Sequence, residues 1–156
     1  MATNEKLIEV LNDLVHINND RIKGYEKAAD ESKATDIDLQ AFFLKLADDS
    51  RKHVSKLTEH INSLGGEATN DTTNMGKIYR VWMDVKAAFT GQDRHAILTS
   101  CEYGEDAAQR AYRDALASDA EMTADTRQLI TAQQSDLKAA HDAVKKYRDM
   151  HQAVHS

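Results

Sequence analysis

The sequence contains no proline in its 156 residues, and only six glycines. Proline removes a backbone donor and breaks helices, so its complete absence leaves nothing to interrupt long helical runs. A single cysteine, Cys101, excludes an intramolecular disulfide and any paired-cysteine metal or redox motif. No apolar run approaches the roughly 20 residues that a bilayer-spanning helix needs. The opening MATNEKLIEV has neither the basic n-region nor the apolar core of a secretory leader, so a soluble protein located in the cytoplasm is expected. Positive charge is also short: 20 Lys and Arg stand against 26 Asp and Glu, giving a net charge of −6. Nucleic-acid binding needs clustered cations, so no nucleic-acid partner is expected, and no membrane partner either. Glycine-rich phosphate loops, nucleophile elbows and internal repeats are all missing.

What the chain does have is Ala, Leu, Glu, Lys, Gln and Asp at helical spacing. One stripe, Leu7, Leu11, Leu14, Val15, Asn18, Ile22, Tyr25 and Ala29, predicts a helix over about 4–32. A second, Leu39, Phe42, Phe43, Leu46, Ser50, His53, Val54, Leu57, Ile61 and Leu64, predicts a helix over about 36–64, opened by Thr35 and closed by Gly65–Gly66. A third helix is predicted over about 93–117, with Ile97, Cys101, Gly104, Ala108, Ala111, Tyr112 and Ala115 inward. A fourth is predicted over about 123–151, with Leu129, Ile130, Gln133, Leu137, Ala140, Val144 and Tyr147 inward. The segment around Trp82 (Ile78, Val81, Trp82, Val85, Phe89) reads as a short amphipathic helix over about 76–89.

Connection lengths constrain the topology. The links after the first and third long helices are a few residues, which makes each pair an antiparallel hairpin. The 65–92 connection is long enough to cross the full bundle, which suits parallel second and third helices. The expected architecture is therefore a single all-α domain over 1–156, a four-helix bundle of ferritin-like type with a long crossover carrying a short extra helix.

The candidate functional residues are polar side chains on or beside the inward stripes. His53 and Ser50 face inward on the second helix, Asn18 on the first and Gln133 on the fourth. In CEYGEDAAQRAY, residues 101–112, Glu105 lies roughly 80° from the stripe centre and Glu102 roughly 140° at 100° per residue, so only Glu105 is expected to reach the interior. His141 flanks the fourth helix's stripe and Glu26 flanks the first. His16 and Asp20 read as a solvated pair on the outer face, and His151 and His155 as a frayed tail. Cys101 reads as a small buried hydrophobe.

A dinuclear ferritin-type centre needs a Glu from each of two helices and a Glu-x-x-His from each of the others, because two hard cations need bridging carboxylates. The corresponding frames read Ser50-x-x-His53 and Lys138-x-x-His141, both without their glutamate. A full ferroxidase is therefore not expected. The most that the residues support is one iron or zinc ion held by His53, Glu105 and His141, with Glu26 or Gln133.

The ordered set LNDL (11–14), GYEKAA (24–29), LGG (64–66), WMDVKAA (82–88), CEYGEDAAQRAY (101–112) and HDAVKKYRD (141–149) resembles an uncharacterised bacterial family of ferritin-like four-helix bundles, the domain of unknown function 2383 type. The resemblance implies a ferritin-like bundle over nearly the whole chain and no established reaction. Within the family's pattern fall the paired acids, here Glu102 and Glu105, and a His-Asp pair, here His141 and Asp142. Two functions follow as expectations. The first is a non-catalytic or stress-related module that kept the bundle with a degenerate metal site. The alternative is a metal-binding redox or metal-handling protein. Ferritin-like bundles often dimerise, so a homodimer is one assembly to expect; a protein partner is not identified.

Overall fold

The computed structural model describes residues 2–32, 37–69 and 94–155, apart from the side chains of 2–4, 94–96 and 151–155. The expected short helix over 76–89 and the Thr35 cap lie outside the described residues, as do the side chains of His151 and His155. Four helices follow one another: α1 Ala2–Ser32, α2 Ile37–Ser63, α3 Arg94–Ala117 and α4 Ala124–His155. No strand occurs among the described residues.

Local chemistry fixes the helix ends. At the end of α2, the Gly66 N–H donates to the Ile61 carbonyl and the Gly65 N–H to that of Asn62, both at 3.0 Å. Gly65 has φ 86°, the left-handed conformation that this capping arrangement requires. Gly66 lies so close to α1 that a Cβ there would meet Ile8 at 2.8 Å. Beyond it, Asn12 of α1 ties down the departing chain: its Nδ2 donates to the Glu67 carbonyl at 3.0 Å, and its Oδ1 accepts from the Thr69 N–H at 2.9 Å. At the start of α4, Thr123 is the N-cap, its Oγ1 accepting from the Thr126 N–H at 3.3 Å.

Side-chain pairings give the register. Along α1 and α2, Asn18 meets His53, Arg21 meets Ser50 and Tyr25 stacks on Phe43 with centroids 5.9 Å apart, so these helices are antiparallel. Along α1 and α3, Lys6 pairs with Asp119, Asn18 with Tyr112 and Arg21 with Glu105, again antiparallel. In consequence α2 and α3 run parallel, and the chain between them must travel the bundle length. This is the crossover expected from the length of the 65–92 connection. Between α2 and α4, His60 meets Thr126, His53 meets Asp136 and Phe42 packs on Tyr147, which is also antiparallel.

The interior divides into two apolar clusters. One contains Leu7, Leu11, Leu14, Leu57, Ile61, Ala108, Ile130 and Leu137; the other contains Tyr25, Phe43, Leu46, Ala47, Leu98, Cys101 and Val144. Each fully buried large aliphatic or Phe side chain contributes about 1.5–3 kcal/mol relative to exposure. Between the clusters lies a belt of buried polar residues: Asn18, Arg21, Ser50, His53, Glu105 and Gln133. Two expectations on α1 are corrected here. Asp20 is fully buried rather than solvated, and Arg21, not Ile22, takes the fully buried position between Asn18 and Tyr25. A residue three after Asn18 and four before Tyr25 is on the same face, and only pairing makes a cation acceptable there.

Candidate functional site

The belt is built from one short stretch of each helix. On α1, Asn18, Arg21 and Tyr25 follow helical spacing; on α2, Ser50 and His53 lie three apart; Glu105 and Tyr112 come from α3, and Gln133 and Asp136 from α4.

At its centre Arg21 and Glu105 form a forked ion pair. Nε donates to Oε1 at 2.6 Å and Nη2 to Oε2 at 2.9 Å, and Nη1 donates to the Ser50 hydroxyl. The two side chains are 1% and 0% exposed. The guanidinium also lies over the Tyr25 ring, 5.4 Å from its centroid. Burial is the largest single influence on Arg21 and works to lower its pKa. The Glu105 charge and hydrogen bond, with Tyr25 and Tyr112, together outweigh it and the net direction is upward, so the cation is permanent. Tyr25 is held well above the ordinary phenol range, by burial first and by the Glu105 charge second. It stays neutral.

A second chain of hydrogen bonds runs beside the ion pair. Asn18 Nδ2 donates to the Leu14 carbonyl at 2.9 Å and to the Tyr112 hydroxyl at 2.8 Å. The Tyr112 hydroxyl donates to Gln133 Oε1 at 2.7 Å, and Gln133 Nε2 donates to the His53 carbonyl at 3.2 Å. His53 closes the circuit with Nδ1 3.3 Å from Asn18 Oδ1 and Nε2 3.3 Å from Asp136 Oδ2. A neutral imidazole carries one N–H, so it donates to one of these oxygens at a time. Burial lowers the His53 pKa against the opposing pull of Asp136, which favours the neutral ring.

The structure separates the four candidate ligands. Glu105 is engaged by Arg21, and His53 by Asn18 and Asp136. Glu26 is on the surface, its side chain 51% exposed and paired with Arg51 at 2.6 Å. His141 is on the outer part of the α3–α4 seam, with Nε2 2.8 Å from Asp106 and Nδ1 3.3 Å from Asp142. Among the described residues, the group of three or more His, Cys, Asp or Glu whose ligand atoms lie within 4.8 Å of one another is Glu102, Asp106 and His141. Of these, Glu102 is already paired with Arg148.

Against the dinuclear pattern of one Glu from each of two helices and Glu-x-x-His from the other two, the frames at the belt read Arg21 on α1, Ser50-x-x-His53 on α2, Glu105 on α3 and Gln133-x-x-Asp136 on α4, the last with only its glutamine buried. The α4 frame that meets the belt is therefore Gln133 to Asp136, five residues before a Lys138 to His141 pairing, with Gln133 buried and Asp136 exposed at the rim. A pair of divalent cations does not fit these residues. Glu105, the buried carboxylate of the belt, is neutralised by a guanidinium, and Ser50 and Gln133 stand at the two positions where the pattern has bridging glutamates.

Comparisons with known proteins agree with the architecture. A family model described as domain of unknown function (DUF2383) matches residues 6–118, and the chain belongs to that family. No curated protein sequence matches the chain. The fold is ferritin-like. The bacterioferritin of Desulfovibrio desulfuricans, a protein with a diiron site, superposes with a TM-score of 0.77 at 23% identity, over 95% of this chain and 81% of its own. Dps1 of Mycobacterium smegmatis superposes with a TM-score of 0.78 at 13% identity, over 94% of this chain and 97% of its own.

Proposed function

We infer that this member of the family is a non-catalytic ferritin-like bundle in which an internal ion pair stands where the fold elsewhere carries metal. The observation that carries this reading is the forked Arg21–Glu105 pair at the bundle centre, with Ser50 on the third guanidinium nitrogen. A guanidinium offers a fixed charge and a planar set of donors, and it has no redox chemistry and no open coordination position. It supplies the charge compensation that Glu105 requires inside the bundle without recruiting an ion.

The reading predicts that protein produced with iron or zinc in the medium carries no stoichiometric metal after desalting, by elemental analysis. It also predicts that adding ferrous iron or zinc leaves the melting temperature unchanged. One tightly bound ion per chain, lost in Glu105→Gln, would overturn it.

A second reading retains metal handling, with one zinc or iron ion at the α3–α4 seam. It is favoured by the convergence of Glu102, Asp106 and His141, a mixed oxygen and nitrogen set. It predicts metal that survives Glu105→Gln and is lost in His141→Ala.

A further inference from the structure

The α1–α3 seam is closed by buried side chains, whereas α2 and α4 stand apart over much of their length. Between them runs a groove of about 600 Å³, within the roughly 300–1,000 Å³ of small-molecule sites. Its α4 wall is Leu129, Ala132, Ala139, Ala140 and Ala143 around Gln133 and Asp136. Methyl side chains leave this wall low, and they explain why the space exists.

The α2 wall sorts its chemistry by position. Phe42 and Leu46 stand at one end, facing Ala139, Ala140 and Ala143, and Lys52 and Lys56 stand at the other, beside His53. These ends are 10–14 residues apart on one helix, about 15–21 Å. Five charged side chains line the groove, Lys45, Lys52 and Lys56 against Asp49 and Asp136. Lys45 pairs with Asp49 at 3.1 Å, and Asp136 is 3.3 Å from His53. Lys52 and Lys56, one helical turn apart and exposed, have no ion-pair partner among the described residues. In a chain of net charge −6, two adjacent uncommitted ammonium groups at one end of an apolar trough are a local reversal of sign.

We propose that the α2–α4 groove binds a single-chain anionic amphiphile of the fatty-acid class, its head group on Lys52 and Lys56 and its chain along Leu46, Phe42 and the α4 alanines. Charge complementarity selects an anion at the lysine end, and apolar area removed from water holds the chain. The site is independent of the buried ion pair, so metal analysis of the belt neither supports nor weakens it.

The test is calorimetric titration of the full chain with dodecanoate below its micelle concentration. Dodecyltrimethylammonium, with the same chain and opposite charge, is titrated in parallel. One dodecanoate is expected per chain, with at least tenfold weaker binding of the ammonium amphiphile. Lys52→Glu with Lys56→Glu is expected to weaken dodecanoate at least tenfold while leaving the helical circular dichroism intact. Ala139→Phe with Ala143→Phe, which fills the trough and leaves both lysines, is expected to abolish binding. Equal binding of the two amphiphiles, or an unchanged affinity in the charge-reversed variant, would overturn the proposal. So would no binding in a protein that sediments as a dimer and becomes monomeric on Ala139→Phe, which would assign the groove to a second copy of the chain.

Discussion

The two seams of this bundle solve the same packing problem in opposite ways. Where α1 meets α3, Arg21 and Glu105 pair with complete burial, and Asn18 and Tyr112 bond across the interface at 2.8 Å. Where α2 meets α4, alanines line a groove opposite Phe42 and Leu46, and contact is kept by Phe42 on Tyr147 and by polar touches at His53, His60 and Gln133. The closed seam carries polar chemistry that water cannot reach, and the open one has apolar surface that water can. The buried ion pair joins α1 to α3 while the groove lies between α2 and α4, and the two meet at His53 and Gln133.

The comparison is broken most directly at the closed seam. Glu105→Gln leaves the guanidinium buried without its counter-charge, and a loss of about 3–5 kcal/mol is expected in chemical denaturation. Arg21→Met in the same background removes the stranded cation. The double variant Arg21→Met, Glu105→Leu should recover most of that loss, which a double-mutant cycle measures as strong coupling. Additive losses would mean that the pair is not the unit described here. Next in size, Tyr112→Phe removes the hydroxyl that links Asn18 to Gln133 and leaves two buried amide groups short of a partner, at a cost of about 1–3 kcal/mol.

The open seam responds to pH. Burial holds the His53 pKa below its ordinary 6.5. The unfolded chain therefore takes up a proton at pH values where the folded ring is still neutral, so stability rises with pH across that window. Stability is expected to fall as pH drops through about 6.5, and to stop falling below the folded-state value, with the melting temperature as readout. His53→Asn should flatten that part of the profile; an unchanged slope would assign it to other groups. Smallest of all, Glu26→Gln breaks a pair with Arg51 between half-exposed side chains and is expected to change stability by about 0–1 kcal/mol.

Much of the belt is visible at the level of helical spacing. Asn18, Ser50, His53, Glu105 and Gln133 each fall on or beside an inward stripe, and all five are buried. Arg21 is less apparent because charged residues usually face water, and Asp136, which does face water, reaches His53 only from the rim. The available signal was positional. Arg21 is three residues from Asn18 and four from Tyr25, and Asp136 is three from Gln133, the interval at which a Glu-x-x-His frame repeats its ligands. His141 shows the converse: its flank position was readable, but its partner Asp106 depends on how α3 and α4 rotate against each other.

By itself the sequence determined the four long helices, their ends at features such as Gly65–Gly66, and the polar character of the middle of the stripes. These follow from backbone propensity, capping and a 3.6-residue period, which act over a few neighbouring residues. Only the tertiary structure decided that Glu105 meets a guanidinium, that Glu26 stays on the surface with Arg51, and that α2 and α4 leave a groove. Those outcomes depend on the distance and rotation between helices far apart in the chain. At that range a charge takes the nearest opposite charge that burial offers it, and a wall of alanines leaves whatever space its neighbours do not fill.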